Sequence, residues 1–209
     1  MFIALLYFLV LPAAAYIDRG SRHGSCNKIM FVSRQDWRAR LPVRTFPMAL
    51  PVSDVIIFDT VFGECHNTAA CIRNVQFLQD FHMDDKGWWD IAYSFLIGGD
   101  GRVYVGVGWH NAGEHTINYN TISIGVAFMG NFSSIAPSEQ MIAAGKYLID
   151  CGIEKGYLTP TVEVHGDRDV TCTESPGDRL YAIIKQWKNF KGGRMLYYNC
   201  RISTVDPRA

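Results

Sequence analysis

The sequence lacks several things, and each lack removes a class of function. Charge of one sign is missing: 20 basic side chains stand against 20 acidic ones in 209 residues. Electrostatic capture of nucleic acid or of an anionic membrane needs a basic face, so neither partner is expected. After Ala15 no apolar run approaches the roughly 20 residues of a membrane span. No Cys-x-x-Cys pair occurs, so the 6 cysteines do not read as a structural zinc cluster. Gly-x-Ser-x-Gly is absent as well, which removes the usual setting of a hydrolase serine, Ser175 included. Internal repeats and low-complexity stretches are also missing, and no motif asks for a cofactor.

What is present begins with an apolar run from Met1 to Ala15 that ends in Pro-Ala-Ala-Ala. It is too short to cross a bilayer and suits signal-peptidase cleavage, so residues 1–15 are expected to be a signal peptide and the mature protein to be secreted. Residues 16–27 are polar, charged and glycine-containing, and read as a flexible lead-in. A single domain is expected over residues 28–190, with a tail over 191–209. An even number of cysteines behind a signal peptide reads as three disulfides, with many connectivities open. Cys65 and Cys71 close so small a loop that a local bridge is attractive. Asn131-Phe132-Ser133 is a glycosylation sequon.

Hydrophobic patterning gives the elements. Val52 to Asp59 is dense in β-branched residues and reads as a strand buried on both faces. Cys71, Val75, Leu78 and His82 recur at helical spacing, predicting an amphipathic helix that ends near Met83. Ser94–Ile97 and Val103–Val105 flank Gly98-Gly99-Asp100-Gly101, a hairpin signal. Ile122–Met129 reads as a further strand. Pro137-Ser138-Glu139 opens a second helix with Met141, Ala144, Leu148 and Cys151 inward. Val162–Val164 reads as a short strand. Asp178 is expected to cap a third helix whose apolar face is Leu180, Ile183, Ile184 and Trp187. Strands and helices alternate, so the class is mixed α/β (α+β): one central, mainly mixed sheet with three helices.

Four segments carry a resemblance. They are Val32-Ser33-Arg34-Gln35-Asp36-Trp37; Gly87 to Gly101, with Trp88-Trp89-Asp90 and Tyr93-Ser94-Phe95 inside it; Ser123 to Phe132; and Arg168-Asp169-Val170 with Ser175-Pro176-Gly177-Asp178. In one register from about Cys26 to Trp187, the chain resembles the peptidoglycan-recognition proteins. The resemblance implies an amidase-like fold, a disulfide-stabilised domain, and bridges Cys65–Cys71 and Cys26–Cys151, leaving Cys172 with Cys200. It also implies innate-immune recognition of bacterial peptidoglycan, with downstream signalling or protease-cascade proteins as further partners.

Enzymes of that family hydrolyse the bond between N-acetylmuramic acid and L-alanine with a zinc-activated water, which needs three protein ligands and an open position. At the positions matching those ligands stand Phe58, Asp167 and Ser175. Phenylalanine has no donor atom and a neutral serine hydroxyl is a poor one, so no metal and no catalytic residue are expected. A displaced set of His165, Asp167 and Asp59 is the alternative, since His165 and Asp167 share a face of an extended strand. The bland readings are a structural His165 and an Asp167 paired with an arginine.

Loss of the chemistry leaves binding. The resemblance places Thr60, His82, Lys86, Gly87, Trp88, Tyr93, His115 and Asn120 along the groove for the muramyl peptide stem. Hydrogen-bonding groups and aromatic surface suit such a ligand. Gly87-Trp88 is the pair the family associates with diaminopimelate-type stems. Readers of those stems carry an arginine where this chain has Val107. Valine offers no partner for the extra carboxylate of diaminopimelate, so the lean is towards lysine-type stems.

Overall fold

The computed structural model describes residues 24–198 and Cys200. The expected signal peptide and most of the expected lead-in lie outside the described residues. Of the expected lead-in, Gly24 to Asn27 are described, and Ser25–Lys28 forms a 3-10 turn. Cys26 ties it to Cys151, and the Ser25 backbone N–H donates to Glu154 at 2.9 Å.

Six strands form one sheet: β1 (Phe31–Val32), β2 (Val52–Asp59), β3 (Phe95–Ile97), β4 (Val103–Val105), β5 (Ser123–Phe128) and β6 (Leu158–Gly166). Their spatial order is β1-β4-β3-β5-β2-β6. Only β3 and β4 run antiparallel; every other neighbouring pair is parallel, so the sheet is mixed as expected. β2 sits between β5 and β6, which is why its sequence is almost continuously apolar instead of alternating. The β3–β4 turn is built as the glycines suggested. Gly98 N–H donates to the Arg102 carbonyl at 3.0 Å, and Gly101 takes a φ of +74° that a side chain would strain. β6 is much longer than the Val162–Val164 read from sequence. Its first half carries Thr159, Pro160 and Thr161, which look like a turn, and pairing with β2 across a register shift holds it extended.

Among the described residues three α-helices complete the fold: α1 (Thr68–Asp80), α2 (Glu139–Glu154) and α3 (Asp178–Ile184). Asn67 caps α1 by accepting the Ala70 N–H at 2.9 Å, and Ser138 caps α2 through the Met141 N–H at 3.3 Å. Asp178 does not cap α3. Gly177, at φ +84°, is the cap residue, and the Asp178 carboxylate instead meets Arg168 at 2.7 Å. α1 gives way at Phe81 to a π turn through Asp85, so the helical path runs slightly past Met83.

The period of two along each strand sorts the core. Val55 and Ile57 of β2, with Ile124, Val126 and Phe128 of β5, face α2 and α3 through Met141, Leu148, Leu180, Ile184 and Trp187. Ile56 and Phe58 face the other way, with Leu96, Tyr104 and Ala127, against Cys71, Val75 and Leu78 of α1. Each fully buried aliphatic side chain stabilises by roughly 1.5–3 kcal/mol. The disulfides pair Cys26–Cys151, Cys65–Cys71 and Cys172–Cys200. Among the described residues no helix is long and apolar enough to cross a membrane.

Candidate functional site

A chain of ring contacts joins four of the residues expected in the groove. Phe58, near the end of β2, lies 5.2 Å from the Tyr93 ring and 5.6 Å from the His115 imidazole. Tyr93 lies 5.7 Å from His82, and His82 lies 5.0 Å from Trp88. The π turn after α1 places His82 here, and single π turns of this kind are frequent at functional sites.

The two histidines are both held neutral. Burial above all, then the charge of Lys86, pushes His82 down to about 4 against the opposing pull of Asp90. Its Nδ1 accepts the Ala92 backbone N–H at 3.1 Å, so the ring proton sits on Nε2 and is available to donate. Burial likewise pushes His115 down to about 4. Its Nδ1 lies 3.2 Å from the Thr116 hydroxyl, while its Nε2 is buried without a partner. The imidazole rests on β5 at Gly125, where a Cβ would come within 2.5 Å of the ring, so glycine is required there for the histidine to seat. Tyr93 stays a protonated phenol. Burial raises its pKa, and the neighbouring carboxylates Asp167 and Asp59 raise it further.

The remaining groove residues differ in what they offer. Lys86 is exposed, with its ammonium 5.1 Å from the Phe81 ring centroid, and Gly87 turns the chain at φ +69°. Thr60 is buried and its hydroxyl is already engaged, donating to the Phe62 carbonyl at 2.5 Å and accepting the Gly130 N–H at 3.0 Å. Asn120 accepts the Thr116 N–H at 2.7 Å through its carbonyl, which leaves its amide group. Val107 packs against the α1-side core and lines a cavity of about 70 Å³ with Arg34, Arg44, Phe46, Trp89 and Glu114. Arg44, whose guanidinium lies 4.6 Å from the Phe46 ring, was not singled out by the sequence, because its loop is brought beside Val107 only by the fold.

The three positions that the resemblance matches to an amidase's zinc ligands lie near one another. Ile57 pairs with Gly166 across β2 and β6, which sets Phe58 beside Asp167. The Ser175 hydroxyl accepts the Asp59 N–H at 3.2 Å and also bonds Asp167, whose carboxylate takes the Thr171 hydroxyl at 2.7 Å. Burial raises Asp167 to about 6, with the Thr171 bond opposing and the Asp59 charge adding. Asp59 is also raised by burial, against its bond to Ser175, and its Oδ1 has no partner. One carboxylate, one engaged hydroxyl and an aromatic ring do not fit the zinc ion of an amidase, which takes three nitrogen, sulfur or carboxylate donors and keeps a fourth position open for water.

The displaced set of His165, Asp167 and Asp59 is not assembled either. His165 turns its Nε2 towards Asp54, at 3.3 Å, and Glu163, at 3.9 Å. Nor does Asp167 pair with an arginine: its neighbour Arg168 is taken by Asp178, and Asp167 is held by hydroxyls.

With this geometry in place, comparison with known proteins is informative. Residues 49–178 match the family model described as N-acetylmuramoyl-L-alanine amidase. A peptidoglycan-recognition protein 1 from Holotrichia diomphalia is 41% identical over 188 residues, covering 89% of this chain and 95% of that protein. The structure of bumblebee PGRP-SA superposes with a TM-score of 0.77 at 41% identity, over 79% of this chain and 99% of that one. PGRP-LE in complex with tracheal cytotoxin, a monomeric diaminopimelic acid-type peptidoglycan, superposes at 0.76 with 35% identity, over 79% and 97%.

Proposed function

This chain belongs to the peptidoglycan-recognition protein family, and on that premise we propose that it is a secreted receptor that binds the muramyl peptide stem without cutting it. The observation that supports the reading is Phe58, a side chain with no donor atom, whose ring lies 5.2 Å from Tyr93 and 5.6 Å from His115. His82 offers an Nε2 proton, Lys86 a charge, the Asn120 amide two donors, and Trp88 with Tyr93 aromatic surface, all suited to a sugar–peptide ligand. Thr60 shapes the wall, because its hydroxyl is spent inside the protein. The signal passes to protein partners of the immune or protease-cascade type. Asn131 is exposed in the loop after β5 and is proposed to carry a glycan; a mobility shift on glycosidase treatment of the secreted protein tests that.

For the stem, the reading is lysine-type, since Val107 supplies no partner for a second carboxylate. One observation favours the other stem: Arg44 lines the same cavity as Val107 and could supply the missing charge from a neighbouring loop. PGRP-LE, a relative at 35% identity, is complexed with a diaminopimelic acid-type ligand. Calorimetric titration of both muropeptide types, with and without added zinc, decides. Tighter lysine-type binding that ignores zinc supports the reading. Binding of neither type, or zinc-dependent loss of intact ligand during the titration, overturns it.

A further inference from the structure

Outside the cleft, a second group of donor side chains gathers on the shared face of β2 and β6. Asp54 stands opposite Glu163, and Ile56 opposite His165, so the period of two sets Asp54, Glu163 and His165 on one face. One atom from each of the three, including His165 Nε2, lies within 4.8 Å of the others. We propose that Asp54, Glu163 and His165 form a zinc-type divalent-cation site, separate from the positions that match the family's amidase ligands.

Four features support a built site rather than an accidental acidic patch. His165 is only 2% exposed, yet neither of its ring nitrogens has a hydrogen-bond partner, an arrangement that is costly unless a ligand satisfies one of them. Its Nε2 lies 3.3 Å from Asp54 Oδ1, an ion-pair distance that does not meet hydrogen-bond geometry. A tetrahedral ion with bonds of about 2.1 Å spaces its ligands roughly 3.4 Å apart, which the 3.3 Å and 3.9 Å separations approach. Each carboxylate is also oriented by an outer partner on its other oxygen. Ser53 donates to Asp54 Oδ2 at 2.5 Å, and Lys191 lies 3.3 Å from Glu163 Oε1. Such outer contacts fix ligand orientation in metal sites.

The charges agree with this occupant. Two carboxylates and one neutral imidazole bring the ion's two positive charges to zero, so the loaded cluster is neutral where His165 is buried. Glu163 is the half-exposed member, so its side is the route of entry and of a water in the fourth position. Imidazole with carboxylates suits zinc rather than calcium or magnesium, which prefer an all-oxygen shell.

Zinc chloride titrated into the chelator-stripped secreted chain, followed by calorimetry and by elemental analysis after dialysis, tests the assignment. One zinc per chain is expected, weakened about 100-fold or more by Glu163→Gln and by Asp54→Asn. Asp167→Asn, in the cleft, is expected to keep stoichiometry and affinity. Asp54 is buried and its variant can fail to fold; Glu163 is half-exposed, so Glu163→Gln alone then carries the test, with its far-ultraviolet spectrum as the folding control. No zinc retained, binding unchanged in Glu163→Gln, or binding lost in Asp167→Asn each overturns the proposal. None of these outcomes bears on muropeptide binding.

Discussion

Two neighbouring stretches of the β2–β6 pair use one sheet face in opposite ways. Phe58, Asp167 and Ser175, which the family resemblance matches to an amidase's zinc ligands, lie towards the C-terminal ends of the two strands, with the Phe58 ring 5.2 Å from Tyr93 and 5.6 Å from His115. A few positions earlier along the pair, Asp54, Glu163 and His165 bring three donor groups within reach of one another. Backbone, register and face are shared; only the side chains differ. The contrast shows how little the fold itself says about chemistry, and how much each register position does.

The contrast can be broken most forcefully by reversing it. A Phe58→His, Asp167→His, Ser175→Cys triple variant restores two imidazoles and a thiolate to the cleft. It is expected to bind one more zinc than the parent and to release free stem peptide from peptidoglycan, the largest change of any variant considered. Each single substitution is expected to do neither, and mass spectrometry of the soluble fraction reads the difference.

Smaller effects sharpen the comparison. Phe58→Ala empties a site 3% exposed and should cost about 3–5 kcal/mol in denaturant unfolding, as for other buried phenylalanines. His82 is neutral in the folded protein because its pKa is pushed down to about 4, below the ordinary 6.5. The unfolded chain therefore takes up the proton first, so this group's stabilisation is present above pH 6.5 and is lost as pH falls towards 4. His82→Gln removes that dependence. Its stability relative to the parent should improve by on the order of 2–3 kcal/mol between pH 7 and pH 4, followed by urea unfolding at each pH.

Asp167 has the opposite sign. Its pKa is raised from 3.8 to about 6, so its stabilising, protonated form is complete below 3.8 and is lost as pH rises through 6. Asp167→Asn should therefore stabilise by on the order of 2 kcal/mol at neutral pH, with the gain vanishing near pH 4. Glu163→Gln closes the series. Without zinc it should change stability by no more than about 0.5 kcal/mol, because Glu163 is half-exposed and its ion pair with Lys191 is screened.

Much of the fold was legible because local signals and tertiary role agreed. Val52–Asp59 is bounded as its β-branched run suggested, since a strand flanked on both sides needs an unbroken apolar run. The β3–β4 hairpin and the start of α2 followed from glycines and a serine cap for the same reason. β1 was missed because two residues carry no period; their pairing with β4 is a long-range event. β6 was read too short because its polar first half takes its conformation from β2. In the cleft, the family resemblance reached the ring residues and the lost donors. It could not show that Thr60 is internally satisfied, that Arg44 reaches the Val107 cavity, or that His165 turns to Asp54, because those depend on which loops and strands become neighbours.

The most direct test of the central claim incubates the chain with insoluble peptidoglycan in excess zinc, then measures both co-sedimented protein and free stem peptide in the supernatant. Recognition without cutting predicts that the protein pellets with the polymer while free stem peptide stays at the level of the protein-free control. Chelator-sensitive release of stem peptide, or protein that remains in the supernatant, would contradict it.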